Sequence, residues 1–133
     1  GKVKWQRNYD IALKLAKEQN KPLLLLFQEV PGCAGCRQFG QKTLSHPVIV
    51  KAMENEFIPL AIYNNAYGYD RKILERYKEP AWNFQVIRYL DHQGNDLIPR
   101  RDRIWTVPET AKRMNEALKA FGKPAPGYLQ SVL

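Results

Sequence analysis

Apolar and polar positions recur with helical spacing over residues 9–19. Ile11, Leu13, Leu15 and Ala16 supply the apolar positions, and Lys14, Lys17 and Glu18 the polar ones. Asn8 is a suitable N-cap, because its side-chain oxygen can accept an orphan backbone N–H, and Asn20-Lys21-Pro22 ends the helix. The run Leu23-Leu24-Leu25-Leu26-Phe27 then reads as a strand buried on both faces. After a loop ending in Pro31-Gly32, a second helix is expected from the cysteines to about Leu44, and a third over 48–55 following Ser45-His46-Pro47. Residues 57–63 read as a second strand, followed by a helix capped by Asp70 and running to about Lys78. Residues 86–90 predict a third strand. The turn Asp91-His92-Gln93-Gly94-Asn95 predicts a hairpin, with residues 96–100 returning as a fourth, edge strand because of Pro99. A last helix over 108–121 is capped by Thr106, buries Ala111, Met114, Leu118 and Phe121, and stops at Gly122. Residues 1–122 thus make one domain, and residues 123–133 a C-terminal tail expected to pack loosely or stay mobile.

The alternation of strands and helices predicts an α/β domain with a central mixed four-stranded sheet, helices on both faces and an extra N-terminal helix. A chain of 133 residues with 44% hydrophobic and 26% charged residues is ordinary globular material for one domain. Its longest apolar run, Leu23 to Phe27, is far short of the roughly 20 residues of a membrane helix, so membrane insertion is not expected. No signal-peptide pattern is seen, and the opening Gly1-Lys2-Val3-Lys4-Trp5 says nothing of compartment. Lys and Arg number 21 against 13 Asp and Glu, a formal charge of +8, which favours acidic partners. The basic residues are spread out, the densest run being Pro99-Arg100-Arg101-Asp102-Arg103, and nucleic-acid binding is not expected.

Chemistry concentrates in Pro31-Gly32-Cys33-Ala34-Gly35-Cys36, between the buried strand and the predicted helix. Three uses of the pair compete. A zinc site needs four ligands; there is no second cysteine pair, and His46 and His92 are not in finger spacing. A structural disulfide across two residues closes a tiny loop and constrains the unfolded chain little. The favoured use is a reversible redox pair. A cysteine in the first turn of a helix faces unpaired backbone N–H groups and the positive dipole end, which favour its thiolate. Cys33 is then the nucleophile, and Cys36, one turn further in, the resolving thiol. Small residues at Gly32, Ala34 and Gly35 let a substrate approach closely, and no metal or cofactor is called for.

The strand, the dithiol opening a helix, the hairpin over 86–100 and the closing helix resemble the thioredoxin-like superfamily. The opening Trp5, Tyr9, Ala12, Ala16-Lys17 and Lys21-Pro22-Leu23, with Tyr89-Leu90-Asp91-His92-Gln93-Gly94, is similar to its branch of exported disulfide reductases and isomerases. The resemblance covers roughly residues 5–121 and implies that Cys33 attacks and Cys36 resolves.

Three departures stand out. Gly32 and Ala34-Gly35 replace the tryptophan and the Gly-Pro of thioredoxins proper. Phe27 stands where the family has a buried acid, six residues before the attacking cysteine, and Glu29 is the nearest carboxylate. The family's cis-proline register falls on Gln85, with Pro80 five residues earlier as the alternative. Trp82, Phe84 and Gln85 belong to the loop that the resemblance turns toward the cysteines, and are the expected substrate-binding residues. Trp5 and Trp105 are expected in core or rim packing, Tyr63, Tyr67 and Tyr69 on the flanks of a loop, and both histidines at the surface.

The implied activity is thiol–disulfide exchange on protein clients, regenerated by a redox partner protein. The lack of an imidazole between the cysteines favours a reductase or isomerase over a strong oxidant. The alternative is a thioredoxin-like binding module in which the dithiol is not catalytic. The resemblance implies a periplasmic or otherwise exported monomer, with a cytoplasmic one as the alternative.

Overall fold

The computed structural model describes residues 3–28, 43–63, 68–79, 86–101 and 103–133. Helix α1 spans Tyr9–Gln19. Its cap is the expected one: Asn8 Oδ1 accepts from Ile11 N at 3.0 Å. Asn20 closes it in the left-handed region, φ 54°. The buried face is Tyr9, Ala12 and Ala16, whereas Ile11 is 53% exposed. The spacing of three and four residues sets that face, and its two alanines let the helix lie close on the sheet.

Strand β1, Leu23–Gln28, is the centre of the sheet, with β2, Ile58–Tyr63, parallel on one side and β3, Val86–Leu90, antiparallel on the other. Leu23 to Phe27 are all essentially buried because alternate side chains enter separate cores. Leu24 and Leu26 pack with Ile49, Met53, Phe57, Tyr89, Met114 and Leu118. Leu23, Leu25 and Phe27 pack with Tyr9, Ala12, Ile62, Leu74, Val86 and Leu90. The first core is roofed by α2, Pro47–Asn55, and α4, Val107–Phe121; the second by α1 and α3, Tyr69–Arg76. Beyond β2 the N-terminal segment covers the edge, through Gln6 N to Pro59 O at 2.8 Å and Ala61 N to Gln6 O at 2.9 Å.

The fourth strand expected over 96–100 is corrected: among the described residues the sheet has three strands, and Asp96 makes only an isolated bridge to Leu90. The turn itself forms, with Gly94 at φ 82° and Leu97 N donating to Tyr89 O at 2.8 Å. Two residues on, Pro99 has no N–H to continue the ladder, and its carbonyl accepts from Arg113 Nη2 at 2.6 Å. The chain therefore leaves the sheet.

At the last long helix, Thr106 Oγ1 accepts from Glu109 N at 3.2 Å, and Gly122 terminates α4 at φ 93°. Ala117 joins the expected buried positions, while Phe121 is only half-buried. The C-terminal segment does not pack loosely. Residues Gly127–Gln130 form a short helix, α5, whose Leu129 is fully buried in the first core. Tyr128 Oη donates to Glu56 Oε2 at 3.0 Å. Among the described residues no helix is long and apolar enough to cross a membrane.

Candidate active site

Strand register places Gln28, Tyr63 and Val86 at one end of the sheet. The last residue of β1, Gln28, pairs with the last residue of β2, Tyr63. Its neighbour Phe27 pairs with Val86, the first residue of β3. The segments 29–42, 64–67 and 80–85 therefore all join the described fold at this end. Gly32, Cys33, Ala34, Gly35 and Cys36 belong to the first; Pro80, Trp82, Phe84 and Gln85 belong to the third. These residues, with Glu29, Tyr67 and most of the expected second helix, lie outside the described residues. The strand ends that carry them are neighbours.

The surroundings of that end hold charges that sequence reasoning missed. Asp70 was expected to cap α3; instead Gly68, at φ 78°, precedes the helix without a side-chain cap. Asp70, buried to 7% exposure, uses Oδ2 to accept from Tyr63 N at 3.1 Å and from Arg7 Nη2 at 2.5 Å. The Arg7 guanidinium also donates to Ala61 O and lies 3.6 Å over the Tyr63 ring. Asp70 thereby ties the end of β2 to the covering N-terminal segment. An acid in a first turn looks the same in sequence whether it caps or pairs at long range, so only the fold distinguishes the two.

On the β3 side the key group is Glu79, immediately before segment 80–85 in the chain and bound to Arg88 in the middle of β3. Its buried carboxylate accepts from Arg88 Nε at 2.7 Å and from Arg100 Nη2 at 2.7 Å. Arg88 also donates to Asp96 Oδ2 at 2.7 Å and Tyr77 O at 3.0 Å. These bonds clamp the entrance to the third segment onto β3 and onto the chain after the hairpin. Alternating polarity along the strand gives no hint of such a three-element junction.

Thr43, which follows segment 29–42, is 3% exposed and donates its hydroxyl to Trp105 O. Arg101 and Ile104, just before Trp105, line a cavity of about 10 Å³ together with Val86, Ile87, Tyr89, Thr110 and Arg113. Burial lowers the Arg113 pKa from its usual range, and burial raises that of Tyr89 above the usual phenol range. Phe27, in the register where an acid was noted as missing, is 1% exposed and packs 6.1 Å from the Tyr77 ring. Neither histidine lies free on the surface. His46 caps α2 by accepting from Val48 N at 3.2 Å, and His92 meets Phe121 edge-on at 5.2 Å. Trp5 is half-buried against the first core, and Trp105 is 49% exposed. Tyr69 secures α1, its hydroxyl accepting from Tyr9 N at 2.8 Å. Among the described residues no group of three or more His, Cys, Asp or Glu is arranged to hold a metal ion.

The fold is similar to the solution structure of a thioredoxin from Thermus thermophilus, with a TM-score of 0.72, 18% identity and 90% of each chain covered. It is also similar to DsbH oxidoreductase, with a TM-score of 0.70 and 17% identity, over 90% of this chain and 86% of that one. No curated protein sequence matches the chain. A thioredoxin-like family model matches residues 4–100, from the segment that covers β2 to the chain that leaves β3. With that match spanning most of its length, the chain belongs to the thioredoxin-like family.

Proposed function

We propose that the protein is a thiol–disulfide oxidoreductase working through Cys33 and Cys36. The observation that supports it is the register: Phe27 opposite Val86 joins the dithiol segment and the Trp82 segment to adjacent strands at one sheet end. The Cys33 thiolate attacks one sulfur of a client disulfide. A Cys33–client disulfide forms, and the other client sulfur leaves as a thiolate that takes up a proton. The Cys36 thiolate then attacks the Cys33 sulfur, forming the Cys33–Cys36 disulfide and releasing the second client thiol. Two electrons pass from the dithiol to the client, and a dithiol on a redox partner protein restores the starting state. Gly32, Ala34, Gly35, Trp82, Phe84 and Gln85 are the residues proposed to contact the client. Reductase or isomerase work fits the pair better than strong oxidation, because no imidazole lies between the cysteines to stabilise the reduced form. An exported setting is part of the proposal.

Equilibration with reduced and oxidised glutathione, read by mass after alkylation, tests the reading. A reversible two-electron couple is expected, with Cys33 alkylating at a pKa well below the roughly 8.5 of a free thiol. Cys36→Ser should trap a mixed disulfide with its client, and Cys33→Ser should abolish exchange. No reversible couple, or two thiols titrating as free cysteine, overturns it.

A further inference from the structure

The proposed exchange reaction leaves open what the client looks like, and the residues that follow β3 carry information about it. Arg101, Arg103 and Trp105 are all exposed. They are not at an arbitrary point of the surface. The Trp105 carbonyl is held by Thr43, the first described residue after the dithiol segment. Arg101 and Ile104 share a small cavity with Val86 and Ile87, the first residues after the Trp82 segment. The stretch is therefore pinned to Thr43, where the chain re-enters the described fold after the first segment, and to Val86 and Ile87, where it does so after the third.

Among the described residues, its two guanidiniums, Arg101 and Arg103, have no ion-paired acid. Glu79 is engaged by Arg88 and Arg100, and the Glu109 carboxylate accepts from the Thr106 hydroxyl at 2.8 Å. Asp102 is the only acid in the run 100–103, against three arginines. Arg103 also sits at φ 58°, a conformation that a long side chain seldom adopts. An exposed tryptophan beside two guanidiniums suits a chain with both an apolar and an acidic side chain.

We infer that Arg101, Arg103 and Trp105 form a docking edge for acidic protein clients: the two guanidiniums bind carboxylates that flank the client cysteine, and Trp105 packs against an apolar client residue. This inference rests on the thiol–disulfide reading above. Two exposed charge contacts and their steering effect are expected to give about a tenfold preference for an acidic client at low ionic strength.

The test uses the full chain and two synthetic peptides of equal length, each with one internal disulfide. One carries Asp and Glu beside the cysteines and one leucine; in the other, Ser and Gln replace the acids. The expected result is a kcat/KM ratio near ten in favour of the acidic peptide, collapsing toward one in high salt. The double variant Arg101→Gln, Arg103→Asn should bring the ratio toward one at low salt, asparagine being chosen because it accepts the left-handed backbone. Trp105→Ala should slow reduction of both peptides alike, through KM. Equal rates on both peptides in the wild type, or a preference that survives the double variant, overturns the inference. So does tight binding of a single-stranded oligonucleotide, lost in the double variant, in a protein that does not distinguish the peptides. If the protein reduces neither peptide, the exchange reading fails, and fluorescence anisotropy of the labelled peptides still decides the docking edge. Preferential binding of the acidic peptide, abolished by the double variant, upholds it; equal binding overturns it.

Discussion

Glu79 and Arg100, separated by 21 positions in the chain, meet through a two-point contact: Nη2 to Oε1 at 2.7 Å and Nε to Oε2 at 2.8 Å. The Glu79 side chain is 2% exposed and also holds Arg88, so its charge is buried between two guanidiniums. Glu79→Gln removes the charge that compensates both and should cost about 3 kcal/mol of stability. Arg100, whose side chain is 30% exposed, is partly solvated, and Arg100→Ala should cost about 1 kcal/mol. Urea denaturation measures both. A Glu79→Gln loss no larger than the Arg100→Ala loss contradicts the reading of Glu79 as the centre of the junction.

Gly94 is fixed twice over. It sits at φ 82°, and a Cβ there would run into the Tyr9 hydroxyl and come within 3.0 Å of the Tyr77 hydroxyl. Those hydroxyls are hydrogen-bonded to each other at 2.7 Å, and Tyr77 donates to the Gly94 carbonyl at 2.9 Å, so neither moves freely. Gly94→Ala should destabilise by about 3 kcal/mol, combining left-handed backbone strain with overpacking. In a Tyr9→Phe background the penalty should shrink, because the nearest atom is gone. Equal penalties in the two backgrounds would leave the backbone as the whole cause.

The C-terminal helix α5 is a structural part of the domain. Leu129→Ala should lower stability by about 2–3 kcal/mol, the usual range for emptying a fully buried leucine site that relaxes partly. Gln130→Ala, on the exposed side, should have an effect under about 0.5 kcal/mol. Thermal unfolding distinguishes a docked helix from a tail: in a tail both substitutions would be silent.

Stability should fall in strong alkali. Burial raises the pKa of Tyr77, Tyr89 and Tyr128 above the ordinary phenol value, and a hydrogen bond with Tyr9 or Glu56 adds to the shift of Tyr77 and Tyr128 respectively. The folded chain keeps these phenols neutral where the unfolded chain ionises them, near pH 10. Their contribution is therefore intact below about pH 10 and is lost as the pH rises through the folded values. The urea midpoint should be level from neutral to mildly alkaline pH and drop beyond it, together with the appearance of tyrosinate absorbance. A midpoint that stays level well above pH 10 contradicts this account.

Local chemistry was legible wherever neighbours in the chain decide the outcome. Asn8 and Thr106 cap their helices, Asn20 and Gly122 end them, and residues 23–27 form the central strand, because each choice depends on groups a few residues apart. The reading failed where distant groups compete. Asp70 was a plausible cap until Arg7, 63 positions away, claimed its carboxylate. Residues 96–100 follow a hairpin turn and were expected to return as a strand, but Pro99 has no N–H for the ladder, and Arg113 and Glu79 hold the chain aside. Ile11 is apolar yet exposed, because the helix face is set by its packing on the sheet, and Tyr9, Ala12 and Ala16 fill it.

The sequence by itself determined the Asn8 and Thr106 caps, the doubly buried central strand and the presence of a Cys-Ala-Gly-Cys pair between that strand and a predicted helix. Only the tertiary structure decided which strand ends meet, with Phe27 facing Val86 and Gln28 beside Tyr63. It alone decided that Glu79 and Asp70 would be buried among arginines far away in the chain. The reason is physical: a cap or a strand pattern is written in groups separated by one turn or one pleat. Register and buried ion pairs instead depend on which surfaces the whole chain brings into contact.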